Sequence, residues 1–400
     1  MRTKILIDFE TFAQTAQMTL YNFRQWAKKE LIELRAKESK KIRAEDIEWC
    51  DIVISIRGMS CFTAYIAKLC AKYKRLYIYE IDDNLFLLDR KDKFMVKRQE
   101  ELQKVLNSTA ILWTPNSLLA EYICSRSKVK RYILVGWVIH ENDIYRKIVL
   151  YRKKDIFKIV YYSNDGSSNY FWGILENILP KIEKIINKKV VLEVIGMKNN
   201  NRKISGNGYN IVYVPHLNLN DFRKYLAQGN FDVGFAPLIE NDGFSKYKYA
   251  NKFFEFSMAG IMGIYSKCPP YTFFVKDREN GILADNTEES WLKAIKEITE
   301  DPYLSNQCIN NAQKELEEQY SEDSVFQSFV SQVPELLSYR APKAKIKSLF
   351  FIQIKYFCFR TLEKVYSFCL ALMQGGIKEA FCKTKRFIRT MKQRKKELEL

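Results

Sequence analysis

Short apolar runs alternate with stretches of helical periodicity from the first residues onward. In the first half the runs are Lys4–Ile7, Ile52–Ile56, Leu76–Glu80, Ala110–Trp113 and Tyr132–Val135. Between them, Ser60–Lys72, Lys93–Val105 and Ser117–Cys124 repeat apolar residues at three- and four-residue steps, the mark of a helix with one buried face. The second half repeats the scheme. Its strands are Lys158–Tyr162, Val190–Ile195, Ile211–Val214, Phe231–Phe235, Gly263–Tyr265 and Ile282–Ala284. Its helices are Trp172–Ile186, Asp221–Gln228, Lys248–Met258 and Glu288–Thr299. Such β/α alternation predicts parallel sheets with helices on both faces. The two runs meet near HENDIYRKIVLYRKKD. The expected architecture is therefore α/β: two doubly wound Rossmann-like domains, 1–145 and 146–335, and a helical tail, 336–400. Such sheets bind ligands beyond the carboxyl ends of their strands, so a cleft between the facing domains is the expected site.

The tail has its own pattern. Phe350, Ile354, Phe357, Leu362, Val365, Phe368 and Leu372 follow helical steps. Gly375-Gly376 is expected to break that helix, and a second one then carries Ile377, Phe381, Ile388 and Met391. Residues 341–400 hold 15 Lys/Arg against 4 Glu, so +11 of the chain's +18 sits here. The longest uncharged run, Val365–Ile377, is 13 residues, short of the roughly 20 that span a bilayer. Three readings compete: an anionic membrane surface, the phosphates of a nucleic acid, or packing on the body or a partner. No RNA- or DNA-binding motif accompanies the tail, which disfavours the second, and the charge pattern favours the first.

Composition narrows the classes further. Apolar residues are 47% and charged residues 28%, which suits a folded core and excludes disorder throughout. The nine cysteines form no C-x-x-C pair, and His140 and His216 are the only histidines, so a zinc site is disfavoured. The cysteines read as reduced, pointing to a cytosolic compartment. The opening MRTKILIDFETF does not read as a signal peptide. No G-x-G-x-x-G follows the first strand, and no P-loop, H-E-x-x-H or G-x-S-x-G appears, which disfavours nicotinamide, P-loop, zincin and α/β-hydrolase chemistry.

Candidate chemistry collects in the second half. On a helix over Lys248–Met258, Lys248 falls in the first turn, Lys252 one turn on, and Glu255 two turns on, all on one side. A diphosphate needs such cations together with helix-start N–H groups, and a carboxylate there suits ribose hydroxyls. The same residues also read as surface lysines and a weak i, i+3 ion pair. The loop Ser163-Asn164-Asp165-Gly166-Ser167-Ser168-Asn169 precedes a helix, so amides around Ser163 and Gly166 suit phosphate; a plain strand-to-helix turn reads equally well.

One passage, residues 231–321, ties these together. It runs Asp232-Val233-Gly234 with Pro237-Leu238, then Glu240, Asn241 and Asp242, then Lys248, Lys252 and Glu255-Phe256-Ser257-Met258-Ala259-Gly260. Ser266, Pro270-Tyr271, Asn280-Gly281-Ile282-Leu283, Asn311-Ala312 and Tyr320-Ser321 follow. In this order the motifs resemble the nucleotide-sugar half of retaining glycosyltransferases of the GT-B fold, of the family-four type. The resemblance implies a nucleoside diphosphate sugar as donor, with Lys248 the main catalytic cation at its departing diphosphate, Lys252 a second binding residue there and Glu255 at its ribose. Pro237 and Tyr271 would line the same site. There are departures. Tyr247 stands where the first glutamate of the family's E-x7-E would be, so Asp242 or Glu240 would support the transferred sugar. The family's Arg-x4-Lys is absent. A subset with K-S-x-x-K-x-x-E-Y resembles this chain better.

In the first half, Asp51–Arg57 (DIVISIR) and Tyr79–Phe86 (YEIDDNLF) resemble the acceptor-side domain of such transferases. There Asp82 and Asp83 would bind acceptor hydroxyls or take the acceptor's proton, or would simply cap a turn. There is no D-x-D motif, and the resemblance implies lysines in place of a metal and no cofactor beyond the donor substrate. The implied activity is sugar transfer to a saccharide or lipid-linked acceptor, retaining in configuration. It would take place at the cytoplasmic face of a bacterial plasma membrane during surface-polysaccharide synthesis. The Ile/Lys/Asn-rich composition fits an AT-rich bacterial genome. The competing function is a catalytically silent GT-B-like scaffold subunit.

Overall fold

The computed structural model describes residues 2–88, 92–146, 155–163, 168–196, 209–238 and 243–399. They fold as two compact units. The first unites residues 1–137 with 326–400, and the second is 138–325. The polypeptide thus leaves its first unit and returns to it. The sequence pattern, read linearly, divides the chain at 145/146 and 335/336.

In the first unit the strands are β1 (Thr3–Phe9), β2 (Ile32–Glu38), β3 (Ile52–Ile56), β4 (Leu76–Glu80), β5 (Ile111–Thr114) and β6 (Tyr132–Leu134). Interleaved are helices α1 (Gln14–Lys28), α2 (Ala44–Trp49), α3 (Cys61–Lys72), α4 (Lys93–Leu106) and α5 (Ser117–Cys124). The sheet order is β2-β1-β3-β4-β5-β6, with every pairing parallel. β3 reads IVISI and is buried at every position, as a strand covered by helices on both faces must be. β1 and α1 frame a stretch in which the sequence pattern names no strand between Ile7 and Ile52. β2, IELRAKE, lies at the sheet edge with mostly half-buried residues, and the charges that protect an edge strand also mask it.

The second unit holds β7 (Ile156–Tyr162), α6 (Ser168–Ile186), β8 (Lys189–Ile195), β9 (Tyr209–Val214), α7 (Leu219–Gln228), β10 (Val233–Ala236), α8 (Asn251–Met258), β11 (Met262–Ser266), β12 (Ile282–Ala284), α9 (Glu288–Glu300) and α10 (Pro302–Gln319). Its order is β12-β11-β10-β7-β8-β9, again all parallel. The chain lays down β7, β8 and β9 in one direction, then crosses to β10, β11 and β12. The direction therefore reverses between β7 and β10, the point at which doubly wound sheets bind ligands. Ile159, Leu192, Val233, Ile264 and Ile282 form the sheet's core with Trp291 of α9 and Ile178 of α6.

After α11 (Glu322–Gln332) and α12 (Glu335–Ser338), the chain ends in α13 (Phe350–Glu399). The return is secured by packing. Phe329 meets Trp113 edge-on at 5.0 Å and Phe23 at 5.8 Å. Arg131 binds Glu335 at 2.5 Å. α13 is one helix of 50 residues that runs straight through Gly375-Gly376, correcting the expected break. Two glycines cost about 1 kcal/mol each relative to Ala, a penalty the helix absorbs. Its first half packs on the body through Tyr356 on Phe62 at 6.0 Å and Phe359 on Phe94 at 5.6 Å. Among the described residues no helix is long and apolar enough to cross a membrane.

Candidate active site

The second unit's site is built where its strand order reverses. β7 ends in Tyr161 and Tyr162, followed by Ser163, whose N–H donates to the Ile195 carbonyl at 3.1 Å. On the other side of the reversal, β10 ends in Ala236, and Pro237 is buried beyond it. The chain there is pinned to the neighbouring strand. Leu238 N–H donates to Ser266 Oγ at 2.8 Å, Ser266 Oγ donates to Asn286 Oδ1 at 2.7 Å, and Asn286 Nδ2 donates to the Leu238 carbonyl at 2.9 Å.

α8 lies over this edge. Gly234 of β10 explains its close approach, since a Cβ there would meet the Phe256 ring at 2.6 Å. Gly260, at φ 64°, ends the helix. The N–H groups of Gly260 and Ile261 return to the Ser257 and Phe256 carbonyls at 3.1 and 2.9 Å, a left-handed C-terminal cap. The helix begins only at Asn251. Lys248 precedes it in an extended conformation, φ −72° and ψ 161°, just after a short 3-10 turn over Ser245–Tyr247. This corrects the expected placement of Lys248 in the first helical turn, and with it the expectation that Lys248 shares a helical face with Lys252. The half-buried Lys248 ammonium lies 5.0 Å from the Phe244 ring.

Lys252, in the first turn of α8, reaches the carboxyl end of β7. Its ammonium lies 4.7 Å from the Tyr162 ring and 5.4 Å from the Tyr161 ring. Aromatic faces of this kind attract a cation and help to set its position. Tyr162 also packs edge-on against Phe222 at 4.7 Å and Phe256 at 5.8 Å. Its hydroxyl is buried and has no hydrogen-bond partner among the described residues. Burial holds that phenol well above its ordinary pKa, so it is a neutral donor. Tyr271 is buried, its ring centroid 5.0 Å from that of Tyr265.

Glu255, 6% exposed, faces a partner the sequence reading did not name. Arg223 of α7 donates to both carboxylate oxygens, Nε to Oε2 at 3.2 Å and Nη2 to Oε1 at 3.1 Å. Its Nη1 donates to Asp143 Oδ2 at 3.0 Å. Burial raises the Glu255 carboxyl above its ordinary range, and the Arg223 guanidinium opposes the rise. The arrangement is an acid–base–acid triad that fixes the Glu255 rotamer. Asp242 and Gly166, also expected at this site, lie outside the described residues, as does the acidic residue Glu240.

The first unit gathers its own charged group at strand ends. Arg57, just past β3, takes a left-handed φ of 50°. Its guanidinium pairs with Asp82 at 2.6 Å and Asp83 at 3.1 Å. Thr15 Oγ1 donates to Asp82 at 2.9 Å. Burial raises Asp82 above its ordinary pKa, with Arg57 opposing. Glu80, at the end of β4, is buried with neither carboxylate oxygen hydrogen-bonded to any of the described residues, and burial pushes its pKa well up. Among the described residues no group of three His, Cys, Asp or Glu side chains is placed to hold a metal ion.

No protein-family model and no curated protein sequence matches the chain. Solved structures do match in fold. Anabaena Alr3699/HepE in complex with UDP and glucose aligns at a TM-score of 0.58 and 12% identity, over 84% of this chain and 100% of that one. An alpha-glucosyltransferase in complex with UDP-glucose and DNA containing an abasic site aligns at 0.56 and 13%, over 82% and 98%. TarM aligns at 0.52 and 13%, over 70% of this chain and 54% of that one. The chain therefore has the α/β architecture of the GT-B glycosyltransferases, with two parallel six-stranded sheets and an added C-terminal helix.

Proposed function

We propose that the protein is a glycosyltransferase that moves a sugar from a nucleoside diphosphate sugar to a saccharide or lipid-linked acceptor. The observation that carries this is the Lys252 ammonium at the carboxyl end of β7, where the strand order reverses. A cation at that point suits the diphosphate that leaves in glycosyl transfer. The transition state is oxocarbenium-like, and the negative charge accumulating on the leaving diphosphate is what the site must stabilise. Lys248, upstream on the same segment, is the second cation. Glu255, one turn past Lys252, is the ribose acceptor, with Arg223 setting its orientation. Asp83, beside Arg57, is the group on the acceptor side. The neighbours bound to UDP or UDP-glucose make a uridine donor the first to try. The K-x3-K-x2-E-F spacing at Lys248, Lys252, Glu255 and Phe256 supports a family-four assignment and retention of configuration. A role in bacterial surface-polysaccharide synthesis fits a lipid-linked acceptor.

A second reading is a silent scaffold subunit. One observation favours it: the Glu255 carboxylate is engaged by Arg223 on both oxygens. The two readings part in one experiment. Release of nucleoside diphosphate is followed across a donor panel for the wild type and for Lys252→Met and Lys248→Met. The enzyme reading expects turnover with at least one donor, and a loss of about 10²–10³ in kcat for Lys252→Met, the usual effect of removing one electrostatic stabiliser. A wild type that neither binds nor turns over any donor of the panel would support the scaffold instead.

A further inference from the structure

The outward side of α13 carries a line of apolar side chains. Ile354, Cys358, Leu362, Val365, Cys369 and Met373 follow one another at steps of three or four, so they form one row along the helix. Leu362 is 61% exposed, Val365 55% and Met373 76%, and both cysteines are exposed. Phe351 and Phe357 beside the row are 83% and 70% exposed. The opposite side of the helix is the one used for packing. There Tyr356 and Ala371 are buried, Phe359 meets Phe94 and Glu363 binds Arg98 at 3.1 Å. From Ile354 to Met373 the row is about 30 Å long. An apolar surface of that length marks an interaction site.

Charge decides the occupant. Residues 341–400 carry 15 Lys/Arg against 4 Glu. Lys343, Lys345 and Lys347 are exposed on the segment leading into the helix, and Lys355 and Lys364 are exposed on it. A long apolar line with cations of one sign along it matches a surface that is apolar inside and anionic at its face. Such a helix lies in the interface plane, apolar side toward the acyl boundary and lysines among the headgroups. We propose that α13 docks the protein on an anionic lipid bilayer through its Ile354–Met373 row. This stands independently of the donor reading. It has a consequence for the first unit, because Arg98 binds both Glu363 of α13 and Glu10 at the carboxyl end of β1. The docking helix is thus tied directly to the end of the sheet where an acceptor would bind.

The test is flotation of the full chain with vesicles of phosphatidylglycerol and phosphatidylcholine in equal parts, and with phosphatidylcholine alone. The expected result is binding to the anionic vesicles, weakened at high salt, and at least about tenfold less binding to the neutral ones. Leu362→Asp with Val365→Asp is expected to lower anionic-vesicle binding by about tenfold or more. The triple variant Lys343→Glu, Lys345→Glu, Lys347→Glu touches only exposed side chains and is expected to act in the same direction. It carries the test should circular dichroism show the first variant misfolded. A wild type that ignores anionic vesicles overturns the proposal. So does vesicle binding unchanged in both variants, salt-steep RNA binding without vesicle binding, or light scattering that shows the row buried between two copies of the chain.

Discussion

Replacing Arg223 by Met tests the triad on which the Glu255 geometry depends. The variant keeps most of the side-chain stem and removes the guanidinium, leaving the Glu255 carboxylate, 7% exposed in its side chain, without its partner. Breaking a buried pair from one side costs about 3–5 kcal/mol. Here Arg223 is 19% and Asp143 34% exposed in their side chains, so water reaches part of the site and about 2–3 kcal/mol is expected. For a unit of this size that corresponds to a melting point lower by about 5–10 °C. The pH dependence has a definite sign. Burial already raises Glu255 above its ordinary value, and Arg223 opposes that rise. Without the guanidinium the folded-state pKa climbs further. The folded protein then keeps a proton that the unfolded chain releases, so stability is lost as pH rises above the ordinary carboxyl value. The gap between wild type and variant should therefore widen from pH 5 to pH 8. Adding Glu255→Gln removes the stranded charge and should recover more than half of the loss. The assay is thermal unfolding of all four members of the cycle at both pH values. A single variant within about 1 °C of wild type at pH 8, a gap that does not change with pH, or a double variant no better than the single one would refute the reasoning.

Two further outcomes follow from groups outside that triad. Asp8, buried in β1 and bonded by the Ser39 and Ser55 hydroxyls at 2.5 and 2.8 Å, is pushed up to about 6 by burial from an ordinary 3.8. Its protonated form is the one the fold favours, so about 3 kcal/mol should be lost as pH rises from about 3 to about 7, about 2 of it between about pH 4 and 6, at ~1.36 kcal/mol for each unit by which the pKa is raised. Asp8→Asn should remove that slope in a denaturation series, and an unchanged slope would count against it. Tyr162→Phe deletes a buried hydroxyl with no partner among the described residues. The free protein should be as stable or up to ~1 kcal/mol more stable, while UDP affinity by calorimetry falls about 3–10-fold where the hydroxyl meets the donor. A clear loss of stability would show that the hydroxyl has a structural partner.

What the sequence made legible and what it hid divide along a physical line. Strands such as IVISI and the run from Ile159 to Tyr162 are apolar because helices cover both their faces, so composition alone finds them. Residues that sit at strand ends are placed by the sheet itself. Ser163 and Pro237 follow from β7 and β10 in this way, and so do Arg57 and Asp83 in the first unit. β2 was hidden because its edge position asks for charge. The start of α8 was hidden because Tyr249, Phe253 and Phe256 continue a helical spacing across Ala250, which has no side chain with which to cap a helix; periodicity persists where the backbone has already turned. Arg223 is the instructive case. It is one basic residue in the amphipathic helix LNDFRKYLAQ, 32 positions from its partner, and no local rule joins the two. A signal was nonetheless present in the partner. α8 reads NKFFEFSM, with Glu255 set between phenylalanines. A carboxylate in such a setting must be buried, and a buried charge must be paired. The sequence therefore stated that Glu255 needs a cation held from outside its own helix. Only the crossing of α7 over α8 determines that the cation is Arg223, and that is why Arg223 rather than Lys252 decides the carboxylate's orientation.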